Sequence, residues 1–176
     1  LFLDECFRDF TGREEENAVV EKRKEYPNLM RLKAFTKMYA MAGVRLGFGL
    51  TEDTELIDRM YQAGPPWNVS VLASAAGKAA LKEDDVVKET VQYIRKEKEY
   101  LYQALDTLRV QYWKSAANYI LLKADRDLKD RLIADGKLVR DCSNYRNLSE
   151  GYFRIAVKSH ADNEKLIAAL KVVLER

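Results

Sequence analysis

Histidine is almost absent from this chain: His160 stands alone among 176 residues. That excludes a His-rich metal site and any catalytic arrangement that needs a local Cys–His pair. Two cysteines, Cys6 and Cys142, are too few and too far apart for a disulfide framework or a metal knuckle. Glycine and proline are scarce, at 8 and 3 residues, and no repeat or low-complexity segment interrupts the chain. Charge of neither sign dominates. Lys and Arg total 30 against 28 Asp and Glu, which leaves no bulk electrostatic case for nucleic acid or an anionic membrane as partner. No apolar run approaches the ~20 residues needed to span a bilayer, and no signal-peptide pattern opens the sequence. A globular enzyme-sized domain, or a domain and a half, in a reducing cytoplasm is the expectation.

What is present is an α/β pattern. Leu1-Phe2-Leu3 followed by Asp4-Glu5 reads as a buried parallel strand ending in carboxylates, and ligands of open α/β sheets bind beyond such strand ends. The charged stretch Arg13 to Lys24 reads as a helix, ended at Pro27-Asn28. Leu29 to Leu32 is the next strand, and Val44 to Leu50 another, antiparallel to it. Thr51 caps a helix running to Gln62, Gly64-Pro65-Pro66 breaks the chain, and an Ala-rich helix spans Ser70 to Leu81. From Asp84 to Leu108 the positions Val87, Val91, Ile94, Leu101, Leu105 and Leu108 mark one long amphipathic helix, interrupted once at Lys98. Beyond it, strands are expected at Gln111–Trp113, Tyr119–Lys123, Leu138–Arg140 and Tyr152–Val157. Helices are expected at Leu128–Ala134 and Asn163–Glu175.

Chemistry concentrates between Lys33 and Gly49. Lys37 sits in a mostly apolar context, where burial lowers an ammonium's pKa and favours the neutral amine that condenses with carbonyls. Eight residues on, Arg45 lies between Gly43 and Gly47, an arrangement suited to a phosphate that approaches the backbone closely. Thr36 adds a hydroxyl donor. One ligand uses a carbonyl-binding lysine and a phosphate clamp together: pyridoxal 5′-phosphate (PLP). A lysine–arginine pair by itself is far more often two solvated charges.

Four blocks change that weighting: Leu3-Asp4-Glu5-Cys6-Phe7 with Asp9-Phe10; Thr36-Lys37 through Gly43-Val44-Arg45-Leu46-Gly47-Phe48; Pro66-Trp67-Asn68-Val69; and Val139-Arg140-Asp141-Cys142-Ser143-Asn144-Tyr145 with Tyr152-Phe153-Arg154-Ile155-Ala156-Val157. They resemble, in order and from end to end, the fold-type I PLP-dependent aminotransferases of class II, the histidinol-phosphate aminotransferase branch. Within it the resemblance is strongest to the threonine-phosphate decarboxylase group of cobalamin biosynthesis. Members are about twice as long, so the resemblance implies a fragment matching their second half. Residues 1–84 would be the C-terminal part of the large PLP-binding domain, and 85–176 a small α+β domain beginning in a bridging helix.

The resemblance further implies roles. Asp4 pairs with the pyridine nitrogen, Lys37 is the cofactor-binding and catalytic lysine, and Thr36 and Arg45 bind the cofactor phosphate. Arg154 grips the substrate carboxylate and Arg140 a substrate phosphate, which describes a phosphorylated amino acid substrate. A homodimer is implied as well. Two positions depart from the aminotransferase pattern. Phe7 stands where a tyrosine commonly donates to the cofactor's phenolic oxygen, a change shared with the decarboxylase group. Ala34 stands where relatives carry a phosphate-binding serine. The implied reaction is decarboxylation of threonine phosphate to aminopropanol phosphate; the alternatives are a histidinol-phosphate-type aminotransferase and an inactive fragment serving oligomerisation. The glycine-containing phosphate loop, the aromatic stacked on the pyridine ring, the asparagine near the phenolic oxygen and the N-terminal arm of the family have no counterpart among these residues.

Overall fold

A computed structural model describes residues 1–12, 25–83 and 85–174; the helix expected over Arg13 to Lys24 lies outside them. The chain forms two compact units, Leu1–Val91 and Gln92–Arg176, dividing inside the long helix.

The first unit is built on a three-stranded sheet of β1 (Phe2–Asp4), β2 (Met30–Ala34) and β3 (Gly47–Leu50), in that spatial order. β1 runs parallel to β2, with Asp4 opposite Leu32, and β3 returns antiparallel, with Gly47 opposite Ala34. The strand expected to be buried at the start of the chain is not. Leu1 and Phe2 are 81% and 61% exposed, because β1 is an edge strand whose apolar residues have no covering layer among the described residues. What ties β1 down is charge. Glu5, buried just past its end, accepts from Arg31 Nε at 2.9 Å, and Arg31 is itself buried in β2. Arg8 reaches the other Glu5 oxygen at 3.4 Å.

After β2 the chain turns at once into the four-residue helix α1 (Phe35–Met38), whose first and last residues are buried while Lys37 projects outward. The strand expected from Val44 begins later, at Gly47, because Ala42–Val44 forms a short 3-10 turn that ends on Arg45 in the left-handed conformation (φ 58°). Helix α2 (Thr54–Ala63) is capped by Asp53, not by Thr51: the Asp53 carboxylate accepts from the Leu56 amide at 2.8 Å, while the Thr51 hydroxyl accepts from the Asp53 amide. Asp53 wins because its carboxylate reaches the third helical amide, an orphan donor at the positive end of the helix. Asp53→Ala is expected to cost about 1 kcal/mol, read as a lowered urea midpoint with unchanged slope. Helix α3 (Val71–Ala80) packs its small face, Ala73, Gly77 and Ala80, inward, with Gly77 against Leu46 and Phe35.

The second unit begins within α4 (Val86–Thr107) and continues with β4 (Gln111–Trp113), β5 (Tyr119–Lys123), α5 (Leu128–Ala134), β6 (Arg140–Asp141), β7 (Tyr152–Ala156) and α6 (His160–Leu174). Its sheet has the order β4-β5-β7-β6, and every pairing is antiparallel. Strict alternation divides its faces. Ile120, Leu122, Phe153 and Ile155 are buried together with Leu101, Leu105, Leu128, Leu132 and Leu170 from the three helices, all at 1% exposure or less. The opposite face carries Tyr119, Leu121, Tyr152 and Arg154, all partly exposed.

Two expectations shift in this unit. The strand placed at Leu138–Arg140 is Arg140–Asp141, with Leu138 83% exposed. The last helix starts at His160, where the buried Asn163 accepts from the Lys158 amide and donates to the buried Glu97, closing the first turn. His160 Nδ1 lies 3.0 Å from the same carboxylate, so this lone histidine joins α6 to α4. No helix among the described residues is long and apolar enough to cross a membrane.

Candidate active site

Three side chains singled out in the sequence meet at one end of the first sheet, and topology is the reason. β1 and β2 are parallel, so the C-terminal end of β1, carrying Asp4, and that of β2, leading into Lys37, point the same way. β3 is antiparallel, so its beginning lies at that same end, and Arg45 precedes it by two residues. Phe35 N donates to Leu46 O at 3.1 Å, pinning the Arg45 turn beside the lysine helix. Sites of open α/β sheets form beyond strand ends of this kind.

Asp4 accepts from the Cys6 amide at 2.9 Å. The Cys6 thiol and amide both bond its carboxylate and hold it below the usual carboxylate range, so Asp4 is anionic at neutral pH. Burial, with the bond and negative charge of Asp4 behind it, pushes the Cys6 thiol up, while the charge of Lys37 acts on it in the opposite direction. Cys6 thus stands between the carboxylate and the amine. It was expected to be a packing residue only.

Lys37 is exposed, which corrects the expectation of a buried lysine. In a four-residue helix, burial goes to Phe35 and Met38, and the intervening side chain faces outward. Its ammonium sits 5.5 Å from the centre of the Phe7 ring, within cation–π range. Phe7 has no hydroxyl to donate, but it offers a π face to the amine. The other lysine of this stretch, Lys33, is committed to an ion pair with Asp9 at 2.7 Å.

Thr36 is partly exposed in the first turn of α1, and Arg45 is exposed, with its guanidinium donating to Ala42 O at 3.0 Å. The glycines flanking Arg45 have a different explanation from the one the sequence suggests. A Cβ on Gly47 would stand 2.9 Å from the Lys33 carbonyl, so the close approach of β3 to β2 excludes a side chain there, and one on Gly43 would meet nothing. A carboxylate, an amine and a guanidinium with a neighbouring hydroxyl, at one sheet end, match the ring nitrogen, the aldehyde and the phosphate of PLP in chemistry. The residues present fit that group.

In the second unit the two candidate substrate arginines are direct cross-strand partners: Arg140 in β6 pairs with Arg154 in β7. Directly paired residues share a face, and like charges in that relation repel. Each is supported by an aromatic ring the sequence reading did not single out. The Arg154 guanidinium lies 4.7 Å from the centre of Tyr119, and Arg140 lies 5.8 Å from Tyr145. Buried Cys142 lies behind the pair, where both guanidinium charges act on its thiol against a larger upward push from burial. Two neighbouring guanidinium groups on an open face make a receptor for an anion carrying more than one negative charge.

Comparison with known proteins agrees with this layout. A family model described as aminotransferase class I and II matches residues 1–170. The chain is 38% identical to a threonine-phosphate decarboxylase of Salmonella typhimurium, over 99% of its own length and 48% of the relative's. It is 31% identical to a histidinol-phosphate aminotransferase of Methanosphaera stadtmanae, again over 99% of this chain and 48% of that one. Among solved structures, the histidinol-phosphate aminotransferase from Clostridium acetobutylicum superposes with a TM-score of 0.90 at 29% identity, covering 99% of this chain and 54% of the other. The chain spans about half the length of the curated relatives it matches. The α/β fold anticipated from the sequence, that of the fold-type I enzymes, is the fold of these solved neighbours. On the strength of the matched residues, this chain belongs to the class I and II aminotransferase family.

Proposed function

We propose that this chain is the part of a PLP-dependent enzyme that supplies the cofactor's lysine, its ring-nitrogen carboxylate and the substrate's arginines, and that the complete protein decarboxylates threonine phosphate. The observation that carries the cofactor assignment is the convergence of Asp4, Lys37 and Arg45 at one end of the first sheet. When bound, PLP supplies an electron sink for charge developing at the substrate α-carbon. Lys37 Nζ binds the cofactor's aldehyde carbon and afterwards moves a proton at the substrate α-carbon. Asp4, kept anionic by Cys6, holds a proton on the ring nitrogen. Arg45 and Thr36 bind the cofactor phosphate.

Arg154 orients the substrate carboxylate and Arg140 binds its phosphate. Their direct pairing across β6 and β7 supports a substrate bearing both groups, since two anionic groups offset the repulsion between two guanidinium groups. Phe7 supports decarboxylation over transamination. With a ring in place of a phenol, the site lacks one donor that tunes the acid–base balance of the cofactor. A homodimer belongs to the same reading.

Product analysis on the complete protein loaded with PLP decides between the two activities. Threonine phosphate is expected to yield carbon dioxide and aminopropanol phosphate in equal amounts. Formation of glutamate from histidinol phosphate and 2-oxoglutarate, without release of carbon dioxide from threonine phosphate, would make the protein an aminotransferase.

A further inference from the structure

Lys98 is the one break in the apolar pattern of α4, yet it is not at the surface: only 8% of it is exposed. No carboxylate among the described residues lies within ion-pair distance of it. Its ammonium donates instead to two backbone carbonyls, Ser115 O at 2.8 Å and Ala116 O at 3.5 Å. Burying a cation against carbonyls alone is costly, and a methionine would fill the same volume at less cost. The charge is therefore explained by what it holds.

It holds the loop that leads into β5. Ser115 is fixed a second time by α4, its amide donating to the Tyr102 hydroxyl at 3.0 Å, and its own hydroxyl accepts from the Ala117 amide at 3.1 Å. The next residue, Asn118, accepts from the Val157 amide at 2.9 Å. Then comes Tyr119, whose ring carries the Arg154 guanidinium. Tyr119 lies opposite Ala156 and Arg154 opposite Leu121, so ring and guanidinium are diagonal neighbours on one face. Where β5 begins decides where that ring stands.

We infer that Lys98, with Tyr102, is a positioning residue for Arg154: the two α4 side chains set the 115–118 loop, the loop sets Tyr119, and Tyr119 aims the guanidinium at a carboxylate. The inference rests on the reading of Arg154 as the carboxylate grip. A small misplacement of an orienting group is enough to weaken what it holds.

The test compares two ligands that differ by one carboxylate, O-phosphothreonine and 1-amino-2-propanol phosphate, binding to the complete protein without cofactor, where no reaction consumes them. Lys98→Met is expected to weaken the first about tenfold and leave the second unchanged, as measured by calorimetry. Tyr102→Phe removes a single hydroxyl and is expected to shift affinity in the same direction by a smaller factor. It decides the matter if the Lys98 variant fails to fold. Arg154→Gln should abolish the preference outright, and Lys98→Met added to it should cost nothing more. Loss of both ligands alike, or of neither, in the Lys98 and Tyr102 variants overturns the inference. An Arg154→Gln protein that still prefers the carboxylate overturns the reading beneath it instead, whatever Lys98 does.

Discussion

Lys37→Arg is expected to remove covalent capture of PLP entirely, while leaving the fold of the first unit intact. Arginine keeps a cation over the Phe7 ring and tolerates the exposure of position 37, so the contact seen for the native ammonium has a substitute. It keeps no nucleophilic amine, because a guanidinium stays protonated at any accessible pH. Borohydride treatment of the native complete protein with PLP should fix the cofactor on the peptide containing Lys37, and the variant should yield no labelled peptide. Turnover should fall by at least about 10²–10⁴-fold, the contribution of a positioned proton-transfer group alone. Labelling of a different lysine in the native protein, Lys33 for example, would remove the site from where we place it. Lys33 has reason to fail, since its ammonium is held 2.7 Å from Asp9.

The largest stability effect is expected at Glu5, which touches no part of the proposed chemistry. Its carboxylate is buried against Arg31, with the guanidinium donating through both Nε and an Nη to one oxygen, and Arg8 adds a weaker contact. Glu5→Ala leaves Arg31, 4% exposed, as an uncompensated buried cation. Breaking a buried pair from one side costs about 3–5 kcal/mol, enough to unfold a marginal unit. Replacing both partners, Glu5→Met with Arg31→Leu, should recover most of that loss, since an apolar pair avoids the desolvation penalty. Chemical denaturation of both variants checks the contrast. Equal destabilisation by the single and double changes would mean that the pair is not what ties β1 to β2. Because Asp4 precedes Glu5 directly, loss of this tie should also loosen the ring-nitrogen carboxylate. Weaker retention of PLP by Glu5→Ala under native conditions is the expected secondary effect.

Much of the site was legible before any fold was known, and the reason is local. Asp4, Lys37 and Arg45 stand in short motifs whose spacing survives along the chain, and alternating or helical periodicity marked nearly every element within a few residues. The errors also have a local character. Thr51 and Asp53 are both good caps, and only the reach of each side chain to the Leu56 amide separates them. Leu1 and Phe2 read as buried because they are apolar, although burial depends on what lies across the sheet and not on the residue itself.

Position 98 shows most clearly where sequence reading stops. A lysine breaking an apolar helical stripe reads as a solvated interruption, and nothing nearby in the chain reveals that two carbonyls wait for it near position 115. The pairing of Arg140 with Arg154, and the rings of Tyr145 and Tyr119 against them, likewise depend on strand register, which joins residues far apart along the chain. By itself the sequence determined the order of elements, the family and the residue types available for cofactor and substrate. Tertiary structure alone decided which charges were buried, which faced each other and which side chains held them in place. Propensity and spacing act within a turn or two of the chain, whereas desolvation and register are set by whatever distant segment packs against it.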